Sequence, residues 1–426
     1  MLKRNWFVES LTLTLLAGAL LAGGCEKKKS DDKAAPAPGV QTAAKDDKGG
    51  AMPGVTATEI KIGQTMPYSG PASAYGVIGK TEQGFIKMIN EKGGINGRKI
   101  NLISLDDSYN PPKSVEQVRK LVENEGVSFI FNSLGTPSNT AIQPYLNEKK
   151  VPQLFVATGA DKWADPAKFP WTMGWQPSYR LEAQIYGKYL LKEKPNAKLC
   201  VLYQNDDFGK DYLTGLKQGL GDQYDKVVIK TASYESADPT IDSQVVSLQG
   251  AGCDSLLTAA IPKFAAQTIR KIYDIGWKPF HLLSNVAISR TAVLQPAGLD
   301  KSTGVISGLY LNDPADPTLA NDPGMKEYRD FMAKYLPDMD VNDANSIYAF
   351  GVTTTLVKVL TQCGNDLSRE NIMKQAASIS KLTIPVAVKG IEVGTSATNF
   401  HPISQMQLGK FNGTSFERFG EVFAAQ

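Results

Sequence analysis

Histidine and cysteine are scarce in this chain. Its 426 residues include two histidines, His281 and His401, and four cysteines, with no CxxC pair and no Cys/His metal spacing. Structural zinc sites and hydrolytic triads are built from such residues in close groups. We therefore predict no metal site, no cofactor and no catalytic residues.

Motifs of common enzymes are missing as well. The chain has no GxSxG segment and no phosphate-binding glycine loop that ends in lysine. Two acidic pairs, Asp106/Asp107 and Asp206/Asp207, follow expected strands, and we expect them to close turns and cap helices. They do not resemble the acid pair of a glycosidase, and the chain is not predicted to be an enzyme.

Neither sign of charge dominates, and long apolar runs are absent after the first 25 residues. The 46 basic and 43 acidic residues give a formal net charge of +3, which does not favour a nucleic-acid partner. With 42% hydrophobic residues, the chain is long enough for two domains that each have a core.

The N-terminus is typical of an exported protein. MLKRNW is basic, LTLTLLAGALLAGG is apolar but shorter than the roughly 20 residues that span a bilayer, and Cys25 follows. Residues 1–25 resemble a bacterial lipoprotein signal, which implies a lipid on Cys25 and a periplasmic or extracytoplasmic location. Ala22 stands where that pattern usually has leucine, so plain secretion with Cys25 removed is the alternative. The composition of residues 26–54 predicts a disordered tether.

Three cysteines remain after the export segment: Cys200, Cys253 and Cys363. At most one disulfide can form among them, and an oxidising compartment permits it. The sequence does not select the pair, and buried free thiols are the other possibility.

From Glu59 the sequence alternates between strand-like and helix-like segments. EIKIGQTMP and KINLISLDD predict strands on either side of the helix SAYGVIGKTEQGFIKMINEKGG, and the alternation continues to PQLFVA. It restarts at RLEAQIYGKYLLKEK and runs to FHLLSN. This pattern predicts parallel sheets with helices on both faces. We therefore predict an α/β fold of two doubly wound, Rossmann-like lobes with a ligand cleft between them.

Four loops after strands are rich in glycine and hydroxylic residues. MPYSGPASAYG, NSLGTPSN and ATGADKW belong to the first lobe, and QNDDFGKD follows the first strand of the second. Where such a loop enters a helix, free backbone N–H groups and the helix dipole suit a carboxylate or phosphate. We expect Ser138 to cap the helix after NSLGTPSN.

Long stretches of the chain resemble type I periplasmic solute-binding proteins, in particular the leucine/isoleucine/valine-binding family that serves ABC importers. The resemblance runs from KIGQTMPYSGPASAYGVIGK through SLGTPSNTAIQPYLNEKK and VLYQNDDFGKDYLTGLK, and covers nearly everything after residue 55. It implies the type I periplasmic-binding-protein fold, with a three-segment hinge near Gln176, Leu309 and residue 388. The first lobe would comprise residues 55–176 and 309–388, and the second lobe residues 177–308 and 389–426.

The same resemblance implies a set of ligand-binding positions. Tyr75 and Phe208 correspond to aromatic residues that contact the ligand from the two lobes, and Thr136 and Thr158 to hydroxyls around its carboxylate. The full set is Tyr75, Gly135, Thr136, Ala157, Thr158, Gly159, Trp175, Gln176, Phe208 and Asn285. In the aromatic segment FPWTMGWQPSY we expect Trp171 in the core, and Trp175 at the first crossing, either on the cavity wall or in the core.

Two of these positions depart from the amino-acid-binding members. Asn285 stands where those members have an acidic residue that faces the ligand ammonium, and Gln176 stands where they can have aspartate. Burying an ammonium without a carboxylate partner costs several kcal/mol. We therefore expect a small organic or aromatic acid without an α-ammonium, and keep a branched-chain or other amino acid as the alternative.

The resemblance implies a role in transport. A monomer would capture its ligand by hinge closure and deliver it to an ABC permease and its ATPase, with membrane contact only through the N-terminal lipid. A receptor of the same fold that signals through a membrane partner is an alternative of another class. A secreted enzyme is the third and weakest reading.

Overall fold

Residues 52–424 are described by the structure, a computed structural model of the chain. The strands are β1 (Glu59–Met66), β2 (Lys99–Asp106), β3 (Ile130–Phe131), β4 (Gln153–Val156), β5 (Thr172–Gly174), β6 (Leu199–Gln204), β7 (Val228–Tyr234), β8 (Ser255–Ala259), β9 (Phe280–Leu283), β10 (Ile306–Leu309), β11 (Gln405–Phe411) and β12 (Phe416–Ala424). The α-helices are α1 (Gly76–Glu91), α2 (Pro111–Arg119), α3 (Thr136–Glu148), α4 (Tyr179–Glu193), α5 (Asp207–Leu220), α6 (Tyr224–Val227), α7 (Asp242–Gly250), α8 (Pro262–Asp274), α9 (Gln295–Ala297), α10 (Pro323–Tyr335), α11 (Ala344–Cys363) and α12 (Arg369–Ala376).

The first lobe is built on a parallel sheet with the strand order β2-β1-β3-β4-β5. α1 to α3 connect its strands, α10 and α11 pack against α1, and α12 packs against α11. Ile60 and Ile62, which point to the same face of β1, are completely buried.

The second lobe is built on a sheet with the strand order β12-β11-β10-β9-β8-β6-β7. β6 to β10 pair in parallel, whereas β11 and β12 form an antiparallel hairpin on the β10 edge. The prediction of two doubly wound α/β lobes is confirmed, and the C-terminal hairpin is an antiparallel addition to the second sheet.

The chain passes between the lobes three times: between β5 and α4, between β10 and α10, and between α12 and β11. The second and third crossings run side by side. The Asn312 N–H donates to the Val386 carbonyl at 2.9 Å, and the Val388 N–H donates to the Tyr310 carbonyl at 3.0 Å. The residues at which the lobes divide stay a prediction.

The N-cap prediction for Ser138 is wrong. α3 begins three residues earlier than an N-cap at Ser138 implies, at Thr136, and Gly135 is its N-cap. Ser138 lies inside the first turn, where its hydroxyl accepts a hydrogen bond from the Ser114 hydroxyl at 2.8 Å. Proline is favoured at the start of a helix, and Pro137 accounts for the earlier start.

Three of the four paired acids have the turn and cap roles predicted for them, whereas the Asp207 carboxylate pairs with Lys162. Asp206 is the N-cap of α5, where its side chain accepts a hydrogen bond from the Gly209 N–H at 3.3 Å. Asp106 and Asp107 accept hydrogen bonds from the N–H groups of Ser108, at 3.0 Å, and Tyr109, at 2.9 Å.

A disulfide joins Cys200 of β6 to Cys253, two residues before β8, with the two Cα atoms 5.8 Å apart. This resolves the pairing that the sequence left open. Cys363, at the end of α11, is a buried free thiol. The covalent link therefore lies within the second lobe.

The predicted export signal, the lipid site Cys25 and most of the predicted tether lie outside the described residues. The last three tether residues, 52–54, are described, and they form a turn in which the Val55 N–H donates to the Met52 carbonyl at 3.1 Å. None of the helices between residues 52 and 424 has both the length and the apolar character needed to cross a bilayer.

Candidate functional site: the interlobe cavity

A cavity of about 1060 Å³, its opening to solvent included, lies between the two lobes. Its walls come from the loops that follow β1 to β4 and the loops that follow β6, β8 and β9. The first and second crossings, the start of α11 and the β11–β12 hairpin complete them. Parallel strands end at one edge of a sheet, so residues distant in sequence meet there. The predicted residues that border the cavity are Tyr75, Gly135, Thr136, Ala157, Thr158, Gln176, Phe208 and Asn285.

Thr136 and Thr158 form a buried pair, with 2.6 Å between their Oγ1 atoms. Oγ1 of Thr158 also accepts hydrogen bonds from the Ala160 N–H at 3.2 Å and from the Trp163 indole N–H at 3.3 Å. A hydroxyl has two acceptor positions and one hydrogen. Thr158 therefore donates to Thr136, and the Thr136 hydroxyl keeps its own hydrogen free for the cavity.

The N-terminus of α3 lies at the same place. No acceptor within residues 52–424 pairs with the backbone N–H groups of Thr136 and Ser138. Free N–H groups and the positive end of the helix dipole attract an anion. Only glycine suits position 135 at this helix start, because its φ is +100° and a Cβ there would lie 2.4 Å from the Tyr109 ring. This end of the cavity suits a carboxylate.

The second lobe contributes Asn285, which contacts a buried carboxyl behind the wall. Its backbone N–H donates to Oε1 of Glu182 at 2.8 Å, and its side-chain Nδ2 donates to Oε2. The hydroxyls of Tyr186 and Tyr212 donate to the same carboxyl group. Burial raises the pKa of Glu182 to about 7, and the hydrogen bonds from both tyrosines and Asn285 oppose that rise. The Glu182 carboxyl is therefore enclosed by its own donors.

Apolar side chains form most of the wall between these polar ends. Phe208 and Ile261 come from the second lobe, and Tyr75, Ile78 and Leu134 come from the first. All five are at least nine-tenths buried. A ligand body in this part of the cavity would exchange water for hydrocarbon and aromatic surface, which favours an apolar body.

Gln176 lies on the wall at the first crossing. Its Nε2 donates to the Tyr179 hydroxyl at 3.2 Å, and both residues border the cavity. Burial is the main cause that raises the pKa of Tyr179 above its ordinary value. Tyr179 therefore remains a neutral hydroxyl at physiological pH, and the pair adds polarity without a negative charge.

Two predicted site residues do not reach the wall. Trp175 is fully buried, donates its indole N–H to Oγ1 of Thr355 at 3.1 Å, and packs against the ring of Tyr348, with 5.3 Å between the ring centroids. It belongs to the layer behind the cavity. Gly159 lies under Tyr179, where a Cβ would come within 2.9 Å of the ring. Its small size permits the close approach of that ring, which does contact the cavity.

At the hinge end, the cavity is bordered by Asp313 and Arg290, the charged residues on its wall within the described chain. Asp313 accepts hydrogen bonds from the N–H groups of Ala315, at 2.9 Å, and Phe416, at 2.7 Å. Arg290 donates to the Thr414 carbonyl at 2.7 Å. Both side chains thus hold the backbone around this end of the cavity.

Hydrogen bonds and an ion pair join the lobes around the cavity. The Tyr75 hydroxyl donates to the Val286 carbonyl at 2.9 Å, and the Ser289 hydroxyl donates to Asp343 at 3.1 Å. Nζ of Lys162 lies 3.1 Å from the Asp207 carboxylate. Since these contacts connect residues of opposite lobes, the structure is a closed form.

Sequence reasoning missed several residues at this site, among them Glu182, Tyr179 and Asn345. Asn345 borders the cavity, is 7% exposed, and has no hydrogen-bond partner for its Nδ2 among residues 52–424. Its position next to a helix start is visible in the sequence, because Asp343 is a good N-cap residue. That this helix start faces the cleft depends on the tertiary arrangement.

Curated relatives are similar to this chain over more than half of its length. The chain is 24% identical over 322 residues to Leu/Ile/Val-binding protein homolog 1 of Brucella abortus, covering 73% of this chain and 81% of the relative. It is 25% identical over 244 residues to Leu/Ile/Val-binding protein homolog 3 of Brucella melitensis, covering 55% of this chain and 62% of that relative.

Solved structures with the same fold include proteins that are named for, or were solved with, different ligands. A branched chain amino acid ABC transporter protein from Thermus thermophilus with bound valine has a TM-score of 0.77 and 16% identity, covering 87% of this chain and 98% of that one. A fatty acid ABC transporter substrate-binding protein from Thermomonospora curvata has a TM-score of 0.74 and 21% identity, covering 89% of this chain and 95% of that one. A solute binding protein from Rhodopseudomonas palustris in complex with 3,4-dihydroxy benzoic acid has a TM-score of 0.71 and 17% identity, covering 86% of this chain and 98% of that one.

The model of the periplasmic binding protein family matches residues 59–415, which include the whole first sheet, the second sheet except β12, and every predicted cavity residue. The two lobes, the three crossings and the closed interlobe cavity are the features expected of a binding protein. The chain belongs to the periplasmic binding protein family.

Proposed function

We propose that this protein is the extracytoplasmic substrate-binding component of an ABC importer and that it captures a small organic acid without an α-ammonium group. The ligand carboxylate lies at the N-terminus of α3, beside the free hydroxyl of Thr136. Its aromatic or aliphatic body packs between the lobes against Phe208 and Ile261.

The enclosure of Glu182 carries this proposal. An α-ammonium beside the carboxylate would need an open carboxylate on the opposite wall, and Glu182 has its acceptor positions occupied by protein donors. Asp313, the acid that borders the cavity, already accepts two backbone N–H groups at the hinge end. An unpaired buried ammonium costs several kcal/mol, so amino acids are disfavoured.

The descriptions of two neighbours of the same fold agree with an acidic ligand that has an apolar body. One is described as a fatty acid binding component and the other was solved with 3,4-dihydroxy benzoic acid. They support the proposal by showing that this fold accommodates such acids.

For transport, we propose that the closed monomer delivers its ligand to a permease and an ATPase. A lipid on Cys25, followed by the tether of residues 26–54, would keep the binding lobes near the membrane. Growth on the identified ligand should then require this chain, whereas a signalling receptor of the same fold would leave uptake intact when it is deleted.

The identity of the ligand can be tested in two steps. Freshly purified protein is denatured, and the released small molecules are identified by mass spectrometry. Refolded protein is then titrated calorimetrically with benzoates, straight-chain acids of four to eight carbons, leucine and valine. We expect micromolar or tighter binding of an acid in the first two groups; tight binding of leucine or valine with no response to the other acids would overturn the proposal.

Amino-acid binding is the second candidate. It is favoured by the Leu/Ile/Val-binding names of the relatives and by the valine bound to the Thermus thermophilus neighbour. In that case the ammonium would lie against Asn285 and Tyr179 without a carboxylate. The same titrations decide between the two candidates.

A further inference from the structure

The side-chain amide of Asn285 is held in one orientation by Glu182. Both its backbone N–H and its Nδ2 donate to the two oxygens of this carboxyl. The reverse orientation would place Oδ1 against a carboxyl oxygen that already accepts from Tyr212, and two acceptors repel each other. The hydrogen bonds therefore select the orientation in which Nδ2 faces Glu182.

The other end of the amide is left for the cavity. Asn285 borders the cavity, and no donor within residues 52–424 pairs with its Oδ1. This oxygen is also not among the fully enclosed, unpaired side-chain atoms of the described chain. The second-lobe wall thus presents a fixed hydrogen-bond acceptor, with a carboxyl group directly behind it.

We propose that Glu182 is a positioning residue that fixes Asn285 as an acceptor, and that the ligand is an organic acid whose body carries a hydroxyl group that donates to Asn285. This inference rests on the proposed function and narrows its ligand class. The first lobe supplies donors for the carboxylate, and the second lobe supplies an acceptor for the hydroxyl.

The proposal follows from the cost of unpaired polar groups: a buried acceptor left without a donor costs more free energy than a formed hydrogen bond contributes. A ligand that offers only an acceptor to Asn285, such as a methoxy or keto group, would leave two acceptors facing each other in a closed cavity. Sites built to pair with a hydroxyl discriminate strongly against analogues that lack it, because the site's own polar group is then left unpaired.

Replacing Glu182 by glutamine should reverse the polarity of the wall. In Glu182→Gln the new amide nitrogen can occupy the position of Oε2, where it donates to Oδ1 of Asn285 and turns Nδ2 toward the cavity. The Tyr212 hydroxyl can adapt, because it also lies 2.7 Å from the Ser284 hydroxyl. The acceptor at the wall then becomes a donor.

The test compares matched ligand pairs by calorimetry at pH 8, above the pKa of about 7 of Glu182. The probes are 3- and 4-hydroxybenzoate with their methoxy counterparts, and hydroxy acids of four to eight carbons with their keto counterparts. For the native protein we expect one hydroxylated acid to bind at least about 10-fold more tightly than its acceptor-only partner. In Glu182→Gln we expect this ratio to fall to about 1 or to invert.

Glu82→Gln is the matched control. Glu82 is also a fully buried glutamate, but it lies on α1 of the first lobe, where its partner is Gln64. We expect this substitution to leave the ligand ratio unchanged. If Glu182→Gln does not fold, Asn285→Leu removes the acceptor directly and should also bring the ratio to about 1.

The outcomes separate this inference from the proposed function. If hydroxylated acids and their methoxy or keto counterparts bind equally, or if Glu182→Gln retains the ratio, the inference fails while acid binding stands. If none of these acids binds, the proposed function fails and the inference with it. A loss of affinity that is equal for both members of each pair would show that Glu182 has only a structural role, which also overturns the inference.

Discussion

The two walls of the cavity are assembled in different ways. On the first-lobe wall, the donor Thr136 and the glycine that admits it are neighbours in the sequence, and the helix that supplies the free N–H groups starts there. On the second-lobe wall, the polar group Asn285 is oriented by Glu182, which lies 103 positions earlier in the chain. The proposed anion site is therefore built from neighbouring residues, whereas the proposed site for the ligand body depends on tertiary packing.

The largest effect that we expect concerns the pH dependence of the second-lobe wall. The pKa of Glu182 is raised by burial from 4.5 to about 7, so the folded protein binds this proton more tightly than the unfolded chain does. The resulting stabilisation is fully present below pH 4.5 and is lost as the pH rises through about 7. It is on the order of 3 kcal/mol, at about 1.4 kcal/mol per pH unit.

Urea denaturation of the native protein and Glu182→Gln at pH values from 4.5 to 8 measures this contribution. The free energy of unfolding of the native protein, relative to that of the variant, should fall as the pH rises. Other buried acids are common to both proteins and cancel in the difference. Parallel pH profiles would contradict the assignment.

The second prediction removes the Thr136–Thr158 hydroxyl pair, and with it the hydroxyl donor of the first-lobe wall. Replacing both Thr136 and Thr158 by valine keeps the side-chain shape but leaves the ligand carboxylate without its hydroxyl partner. Hydrogen bonds to charged groups contribute about 1.5–3 kcal/mol each, so we expect affinity for the identified acid to fall about 100-fold by calorimetry. Thr361→Val, at an exposed hydroxyl on α11, is the control and should bind normally.

The third prediction concerns Asn345, whose Nδ2 is buried without a partner. We expect Asn345→Leu to raise the melting temperature of the ligand-free protein, because an unpaired buried polar group costs about 1–3 kcal/mol. If Nδ2 pairs with the ligand, affinity should fall about 10-fold at the same time.

Gln143→Leu is the control for this trade-off. Gln143 also has a buried Nε2 without a partner, and it does not border the cavity. Its replacement should raise the melting temperature and leave affinity unchanged. Equal affinity in Asn345→Leu and the native protein would remove Asn345 from the binding site.

The smallest effect concerns the ion pair that joins the two lobes. Lys162 and Asp207 are partly exposed, and such pairs contribute about 0.2–1 kcal/mol. Lys162→Met should weaken ligand binding by at most about 5-fold, and the loss should shrink at high salt. Lys326→Met, which breaks an exposed pair within α10, should leave affinity unchanged at every salt concentration.

Alternation of short apolar segments was sufficient to predict both lobes, because each parallel strand must be followed by a helix that returns the chain. The loop around Thr136 was predictable for the same reason, since it lies where a strand ends and a helix starts. Asn285 was reached through the family resemblance, but Glu182 was not. In the sequence it is one glutamate in an amphipathic helix, and its burial depends on Tyr186, Tyr212 and the β9 loop.

Trp175 is the reverse case, a residue that was predicted at the site but does not reach the cavity. An aromatic residue beside a chain crossing is equally compatible with a wall position and with the core. Thr355 on α11 supplies an acceptor for its indole N–H, and that helix is far away in the sequence. The core position of Trp175 therefore depends on a tertiary contact, which no local sequence pattern predicts.

The second crossing borders the cavity, and under the proposed hinge closure it would also move. Residues 308–312 border the ligand space, and they also connect the two sheets. If the lobes close by the proposed hinge motion, a longer ligand that reaches this segment would press on the strand that leads into the hinge. The length of the ligand would then set the angle at which closure stops, so a permease that senses that angle could reject a ligand that binds tightly.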